Sequence, residues 1–134
     1  MVVSNRFGLK NVGAEYFKVI KNYMKMQSFI GLVGGKPRFA YYFVGHLEAP
    51  AGGMLRHNNI DAGVEEGYDD TDRLVFLDPH CVNPTLDFSK DWAEQDSLYH
   101  CHQGARSIHM QMLDPCMSFG FLLKSKADFD QFGE

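Results

Sequence analysis

Apolar and polar positions between residues 12 and 26 recur every three or four residues, with lysines on the opposite side. The apolar stripe is Val12, Tyr16, Val19, Ile20, Tyr23 and Met24, and the opposite lysines are Lys18, Lys21 and Lys25. This spacing predicts an amphipathic helix. A basic amphipathic helix also suits a membrane surface or a calmodulin-type partner, but packing on a sheet is the simpler interpretation.

Short apolar runs predict buried strands. Residues 28–33 and 38–45 are two such runs, and the glycine-containing stretch 34–37 between them predicts a mobile turn that closes a hairpin. Residues 74–77 predict a third strand and residues 118–124 a last one. The pattern therefore predicts a sheet on which the first helix packs.

The C-terminal part combines an alternating stretch with a short helix. Residues 107–113 alternate between apolar and polar positions, and Ser125 is a suitable cap for a helix over residues 126–132. The side chains expected to face inward from these two segments are Ile108, Met110, Met112, Phe129 and Phe132. Residues 1–9 and 81–96 show no regular pattern, so no element is predicted there.

Residues 46–72 interrupt the strand pattern. This stretch contains seven acidic residues against one arginine, Arg56. The ordered Asp-x-Asp-x-Asp-Gly spacing of a calcium loop is absent. We therefore predict one domain over residues 1–134, with a solvated acidic loop insertion at 46–72.

Composition and charge limit the number of domains, the cellular compartment and the partners that we expect for this chain. The 134 residues suffice for one domain with a modest core, and 45% of them are hydrophobic. A net charge of −4 provides no basic surface for nucleic acid or anionic lipid. Three cysteines without disulfide-like spacing fit a reducing compartment, and no signal-peptide pattern or apolar run near 18 residues is present. A soluble cytoplasmic protein without nucleic-acid partners is expected.

The strongest chemical signal is Asp78-Pro79-His80, directly after the apolar run 74–77. Residues two apart in an extended segment point the same way, about 6–7 Å apart, so the carboxylate can bond one imidazole nitrogen and leave the other free. Pro79 favours an extended Asp78. A carboxylate that orients a histidine supplies two of the three groups of a nucleophilic triad. Spacing alone also allows an ordinary Asp-Pro turn.

The sequence gives weaker support for two other kinds of site, a phosphate-binding loop and a zinc site. The stretch 34–37 lacks the Lys-Ser/Thr ending and the following helix of a phosphate-binding loop. The soft ligands available for zinc fit no paired zinc spacing. They are Cys81, His100, Cys101, His102, His109 and Cys116. We therefore expect no cofactor and no metal.

Five short motifs follow one another in order along the chain. They are Ile-Gly-Leu-Val-Gly-Gly-Lys-Pro (30–37), Tyr-Tyr-Phe-Val-Gly (41–45), Leu-Asp-Pro-His (77–80), Asp-Ser-x-Tyr-His-Cys (96–101) and Leu-Asp-Pro-x-Met-x-x-Gly-Phe (113–121). In this order they resemble the autophagins, the cysteine proteases of the autophagy-related protein 4 family. The resemblance covers residues 7–132. It implies an α+β, papain-like fold, of which this chain is the C-terminal half, with an antiparallel sheet and flanking helices.

The resemblance also implies an activity. Autophagins cleave ubiquitin-like autophagy modifiers of the GABARAP type after a C-terminal glycine and remove them from phosphatidylethanolamine. By this resemblance Asp78 and His80 are the acid and base of the catalytic triad. The residues that match the family's gating loop over the cleft are Gly34, Gly35, Lys36 and Pro37. The modifier, free or lipid-conjugated, is the expected partner, and autophagic membranes are contacted only through it.

The family's nucleophile has no counterpart in these motifs. It lies in a Gly-Trp-Gly-Cys-Met-Arg-like stretch upstream, whereas Cys81, Cys101 and Cys116 all follow the histidine. The resemblance therefore implies that the chain supplies the Asp/His half of a thiol protease and is inactive alone. The alternative is a catalytically inactive modifier-binding module or a truncated product.

A half domain is expected to leave an apolar surface open toward its missing half. The side chains expected to line that surface are Phe29, Leu32, Phe43 and Phe76, because they belong to the strands nearest Asp78 and His80. Large exposed apolar patches drive association. The isolated chain is therefore expected to self-associate.

Overall fold

The computed structural model of the chain describes residues 1–47, 71–82, 84–100 and 105–132. These residues form an antiparallel sheet of six strands in the order β1-β6-β2-β3-β4-β5. The strands are β1 (Val2–Arg6), β2 (Phe29–Lys36), β3 (Phe39–His46), β4 (Arg73–Leu77), β5 (Ser107–His109) and β6 (Cys116–Phe121). The helices are α1 (Phe17–Met24), α2 (Asp96–Tyr99) and α3 (Lys126–Phe132). The α+β class is confirmed, and the papain-like arrangement stays a prediction.

Helix α1 begins later than the apolar spacing predicts. A 3₁₀ turn over Ala14–Tyr16 precedes it, and Val12 is buried outside the helix. The later start places Phe17 and Ile20, three positions apart, on the buried face of the helix. Val19, a member of the predicted stripe, is exposed instead.

One face of the sheet carries the core. Residues opposite each other on paired strands share a face, and the register aligns Leu32 with Phe43 and Phe43 with Phe76. All three side chains are at least 95% buried, and Phe29 packs against the same cluster. The prediction that these four residues line an open surface is therefore wrong. The physical reason is that α1 packs on β2 and β3 and covers the face to which they point.

The opposite face of the central strands is the exposed one. Val33, Tyr42 and Leu77 pair directly across β2, β3 and β4, and Val44 follows Tyr42 two positions along β3. These four side chains, which we call the outer face, are each 38–52% exposed. The Tyr42 hydroxyl donates to the carbonyl of Ile30 and so lies along the sheet. Exposed apolar surface is thus present, but on the side of the strands opposite to the predicted one.

The β2–β3 hairpin is tighter than the sequence predicts. Its turn consists of Pro37 and Arg38, and Arg38 has a φ of 73°. Proline followed by a left-handed residue is typical of a type II turn. Strand β2 includes three of the four predicted turn residues, Gly34, Gly35 and Lys36. The predicted mobile turn over residues 34–37 is therefore wrong in its bounds, because these glycines pair within a strand.

Strand β1 is an element that the sequence pattern does not predict. All five of its residues are exposed, so no buried alternation marks it. It pairs along its whole length with β6, and the hydroxyls of Ser4 and Ser118 lie 2.8 Å apart across the two strands. Backbone pairing, rather than burial of its own side chains, places β1 in the sheet.

The C-terminal elements follow the prediction in part. Only residues 107–109 form a strand, and Met110–Met112 form a 3₁₀ turn. Helix α3 has the predicted bounds, and the Ser125 hydroxyl caps it by accepting the Asp128 N–H at 3.1 Å. The side chain of Phe132 packs on the core as predicted. Phe129 is 57% exposed, so its predicted inward placement is wrong.

The predicted acidic insertion, 46–72, and the stretch predicted as irregular, 81–96, are described to different extents. Most of the predicted acidic insertion, residues 48–70, lies outside the described residues. At its end Asp72 accepts a hydrogen bond from Lys21 of α1 at 2.5 Å, which ties the start of β4 to the helix. Within the stretch predicted as irregular, the 3₁₀ turn Ala93–Gln95 leads into α2.

Across the described ranges, no helix has the length and apolar character to span a membrane.

Candidate active site

Strand β4 ends at Leu77, and Asp78 and His80 lie in the tight turn that follows it. The Asp78 Oδ1 atom accepts the backbone N–H of His80 at 3.0 Å, and the Cys81 N–H donates to the Asp78 carbonyl at 3.3 Å. The same Oδ1 lies 2.8 Å from His80 Nδ1. The predicted contact is therefore present, and the Asp-Pro turn is what brings carboxylate and imidazole together. The catalytic role of the pair stays a prediction.

The carboxylate of Asp78 is held in its ionised form. The largest cause is the hydrogen bond from the His80 backbone N–H. Burial, the second-largest effect, opposes it, and the His80 side chain and the charge of Arg106 add smaller effects in the lowering direction. Together they lower the pKa of Asp78 below its ordinary value. An ionised carboxylate can only accept hydrogen bonds, so His80 Nδ1 carries a proton and donates a hydrogen bond to Asp78 Oδ1. The Nε2 atom of a neutral His80 is then free to accept a proton.

The two side chains differ in access to solvent. The side chain of Asp78 is 13% exposed, whereas that of His80 is 45% exposed. The less exposed member is thus the one that orients, and the more exposed member is the one that can meet a substrate. This is the division of roles in a nucleophilic triad.

Aromatic side chains from β3 stand beside the imidazole. The ring of Phe39 meets His80 edge-on at 5.5 Å between centroids, and that of Tyr41 does so at 6.2 Å. Tyr41 also packs on Phe76, at 4.4 Å, which connects the site to the core. These rings pack against part of the imidazole, and the His80 side chain stays 45% exposed.

The four predicted gating-loop residues lie on the hairpin that carries Phe39. Lys36 and Phe39 are opposite each other at the end of the β2–β3 pair, with Pro37 and Arg38 as the turn. The hairpin tip therefore stands next to His80 through Phe39. The gating role of Gly34, Gly35, Lys36 and Pro37 stays a prediction.

Arg106 is a site residue that sequence reasoning missed. Its Nη1 atom donates to Asp78 Oδ2 at 3.1 Å and lies 3.2 Å from the sulfur of Cys81. It precedes β5 and is 28 positions from Asp78. No local pattern links residues so far apart, and only the pairing of β4 with β5 brings them together.

One cysteine, Cys81, contacts this arrangement through Arg106, and the possible metal ligands form no cluster in the described part of the chain. Cys81 and Cys116 are exposed free thiols, and Cys101 lies outside the described residues. His100 contacts Asp96 within α2 and its C-terminal cap, as a second histidine–aspartate pair. Among the side chains that the structure describes, no group of three or more histidine, cysteine or acidic residues could hold a metal ion.

Comparisons with known proteins place this arrangement in a class. The family model described as the peptidase C54 catalytic domain matches residues 1–134. Cysteine protease ATG4A of Mus musculus is 30% identical over 132 residues, which are 98% of this chain and 28% of the mouse protein. Cysteine protease ATG4A of Homo sapiens is 30% identical over 98% of this chain and 27% of its own length. The probable cysteine protease ATG4 of Cryphonectria parasitica is 29% identical over 98% of this chain and 26% of its own length.

The matched family and the names of these relatives define the class as thiol proteases. The chain belongs to the peptidase C54 family, the autophagins. It spans only about a quarter of the length of the curated relatives that it matches.

Proposed function

We propose that this chain supplies the aspartate–histidine half of an autophagic cysteine endopeptidase. The observation that carries the proposal is the contact of Asp78 Oδ1 with His80 Nδ1, at 2.8 Å, at the end of a strand in a C54 domain. His80 is the general base and Asp78 the residue that holds its tautomer. The nucleophile is a cysteine outside this chain, because no motif assigns that role to its own three cysteines.

The reaction follows from the position of the proton. His80 Nε2 takes the proton of the cysteine thiol, and the thiolate attacks the carbonyl carbon of a glycine in the substrate. The amide C–N bond breaks as the His80 imidazolium returns the proton to the leaving amine. Water, activated by His80, then hydrolyses the thioester and releases the glycine carboxylate and the cysteine.

The proposed substrates are ubiquitin-like modifiers of the GABARAP type, and the support for them is the resemblance of the five motifs to autophagins. Processing of the precursor breaks a peptide bond after the C-terminal glycine. Removal from phosphatidylethanolamine breaks the amide between the same glycine and the lipid amine. Both reactions have the same acyl group and differ only in the leaving amine, so one Asp–His pair serves both. The proposed setting is the cytoplasm.

The test is reconstitution of a complete protease. The chain is co-expressed with the upstream segment of mouse cysteine protease ATG4A, ending where the match to this chain begins. The complex is incubated with a GABARAP-type precursor that has residues beyond its C-terminal glycine, and the products are measured by mass spectrometry. We expect cleavage after the glycine, abolished by His80→Ala and reduced by orders of magnitude by Asp78→Ala.

A matched control is available within the chain. His100 also contacts an aspartate, at 2.5 Å, but it lies on the segment of α2 rather than after β4. His100→Ala should leave cleavage within about twofold of the parent. Full activity of His80→Ala, or no cleavage by a correctly assembled parent complex, would refute the proposal; binding of the modifier without cleavage would support the inactive binding module instead.

A further inference from the structure

The side chain of Arg106 connects three groups at the end of β4. Its Nη1 atom contacts Asp78 Oδ2 at 3.1 Å and the Cys81 sulfur at 3.2 Å. Its guanidinium carbon lies 5.4 Å from the centroid of the Phe76 ring, in cation–π range. The Arg106 carbonyl accepts the Phe76 N–H at 3.0 Å, so its backbone is fixed by the sheet.

The contacts of Asp78 are divided between its two oxygens. Oδ1 takes both His80 contacts, from the backbone N–H and from Nδ1. Oδ2 takes the contact from Arg106. A carboxylate bound at both oxygens cannot rotate about its Cβ–Cγ bond without losing one partner, so Arg106 determines the plane in which Oδ1 meets the imidazole.

We propose that Arg106 is a positioning residue of the Asp78–His80 pair. This inference rests on the proposed function, because it gives Arg106 a part in the same reaction. Arg106 acts through Asp78: it orients the carboxylate and adds a positive charge that favours its ionised form, and Asp78 in turn holds His80. The rigid planar guanidinium and its stacking on Phe76 make this placement more exact than a flexible ammonium group would.

The competing explanation is a purely structural ion pair. Arg106 could anchor the 78–81 turn to β5 and contribute only to stability, as many half-exposed ion pairs do weakly. The two explanations differ in kcat, which only a positioning role lowers; the titration of Asp78 tests the contact itself, because either kind of ion pair lowers the pKa of that carboxyl group. If Arg106 holds Asp78 ionised, its removal raises the pKa of Asp78, and the pair is then lost at a higher pH as the solution is acidified.

The experiment compares Arg106→Met, which keeps apolar bulk over Phe76, with Arg106→Lys, which keeps the charge. The matched control is Arg6→Met, which removes an arginine on β1, four strands away from β4. The first readout is the carbon-13 titration of the Asp78 carboxyl group in the 134-residue chain. We expect the midpoint to move upward in Arg106→Met, less in Arg106→Lys and not at all in Arg6→Met.

The second readout is kcat and KM, measured separately at neutral pH in the reconstituted complex. Arg106→Met should lower kcat on the order of tenfold to a hundredfold with little change in KM. Cys81→Ala removes the other acceptor of Arg106 and should leave the midpoint of the Asp78 titration in place.

The outcomes separate this inference from the proposed function. An unchanged Asp78 titration in both Arg106 variants overturns the positioning role, and so does a loss of stability with kcat unchanged. If the parent complex does not cleave, the proposed function fails, while the carbon-13 titration still decides whether Arg106 controls Asp78. If Arg106→Met does not fold, Arg106→Lys carries the comparison, with a partial upward shift supporting the role and no shift overturning it.

Discussion

The hairpin tip that stands beside His80 depends on a glycine with no room for a side chain. A Cβ atom on Gly35 would lie 1.9 Å from the Phe39 carbonyl oxygen, whereas real Cβ atoms stay at least 3.0 Å from such a neighbour. The Gly35→Ala change must therefore move the two strands apart by about 1 Å where they meet the turn. Phe39, whose ring contacts His80, lies at that point.

The expected loss of stability follows from the backbone hydrogen bonds between β2 and β3 that the change weakens. Separating the strand ends weakens about two backbone hydrogen bonds, each contributing about 1 kcal/mol net, and adds backbone strain. We expect Gly35→Ala to lower the free energy of unfolding by about 2–3 kcal/mol. For a chain of this size that corresponds to a fall in Tm of about 8–12 °C. The ring of Phe39 should also leave His80.

The assay is urea unfolding followed by circular dichroism, with Gly45→Ala as the control. Gly45 lies in β3, the strand paired with the one that carries Gly35, but a Cβ there meets nothing within 4 Å. Gly45→Ala should be neutral or stabilising by up to about 1 kcal/mol, because alanine restricts the unfolded chain. Equal stabilities of the two variants, within about 0.5 kcal/mol, would show that the hairpin tolerates a side chain at position 35 and that the close approach is not limiting.

Two further predictions concern exposed positions. Replacing Val33 and Leu77 on the outer face together by threonine should lower self-association in sedimentation equilibrium at micromolar concentration. Val82→Thr, at a 97% exposed position outside the outer face, should not, and a monomeric parent chain would contradict the prediction. Arg38 has a φ of 73°, which glycine adopts without the cost of about 1 kcal/mol that an L side chain carries, so Arg38→Gly should raise the free energy of unfolding by about 0.5 kcal/mol. Urea unfolding measures the second effect, and a loss of stability would be evidence of contacts made by the arginine side chain.

The pair of Asp78 and His80 could be predicted from the sequence because its geometry is local. A carboxylate and an imidazole two residues apart, with proline between them, are brought together by the conformation of one turn. The same holds for helix α3, whose cap Ser125 and bounds are properties of a few neighbouring residues. Five motifs in order were also enough for the family, which the C54 match confirms.

Other features were decided only by the tertiary structure. Arg106 reaches Asp78 across 28 positions, and Phe39 reaches His80 across the β3–β4 pair. Which face of the sheet is covered follows from where α1 packs, and this reversed the expected exposure of Leu32 and its neighbours. The physical reason is that strand alternation defines two faces without stating which one is buried, and register aligns residues that no sequence spacing relates.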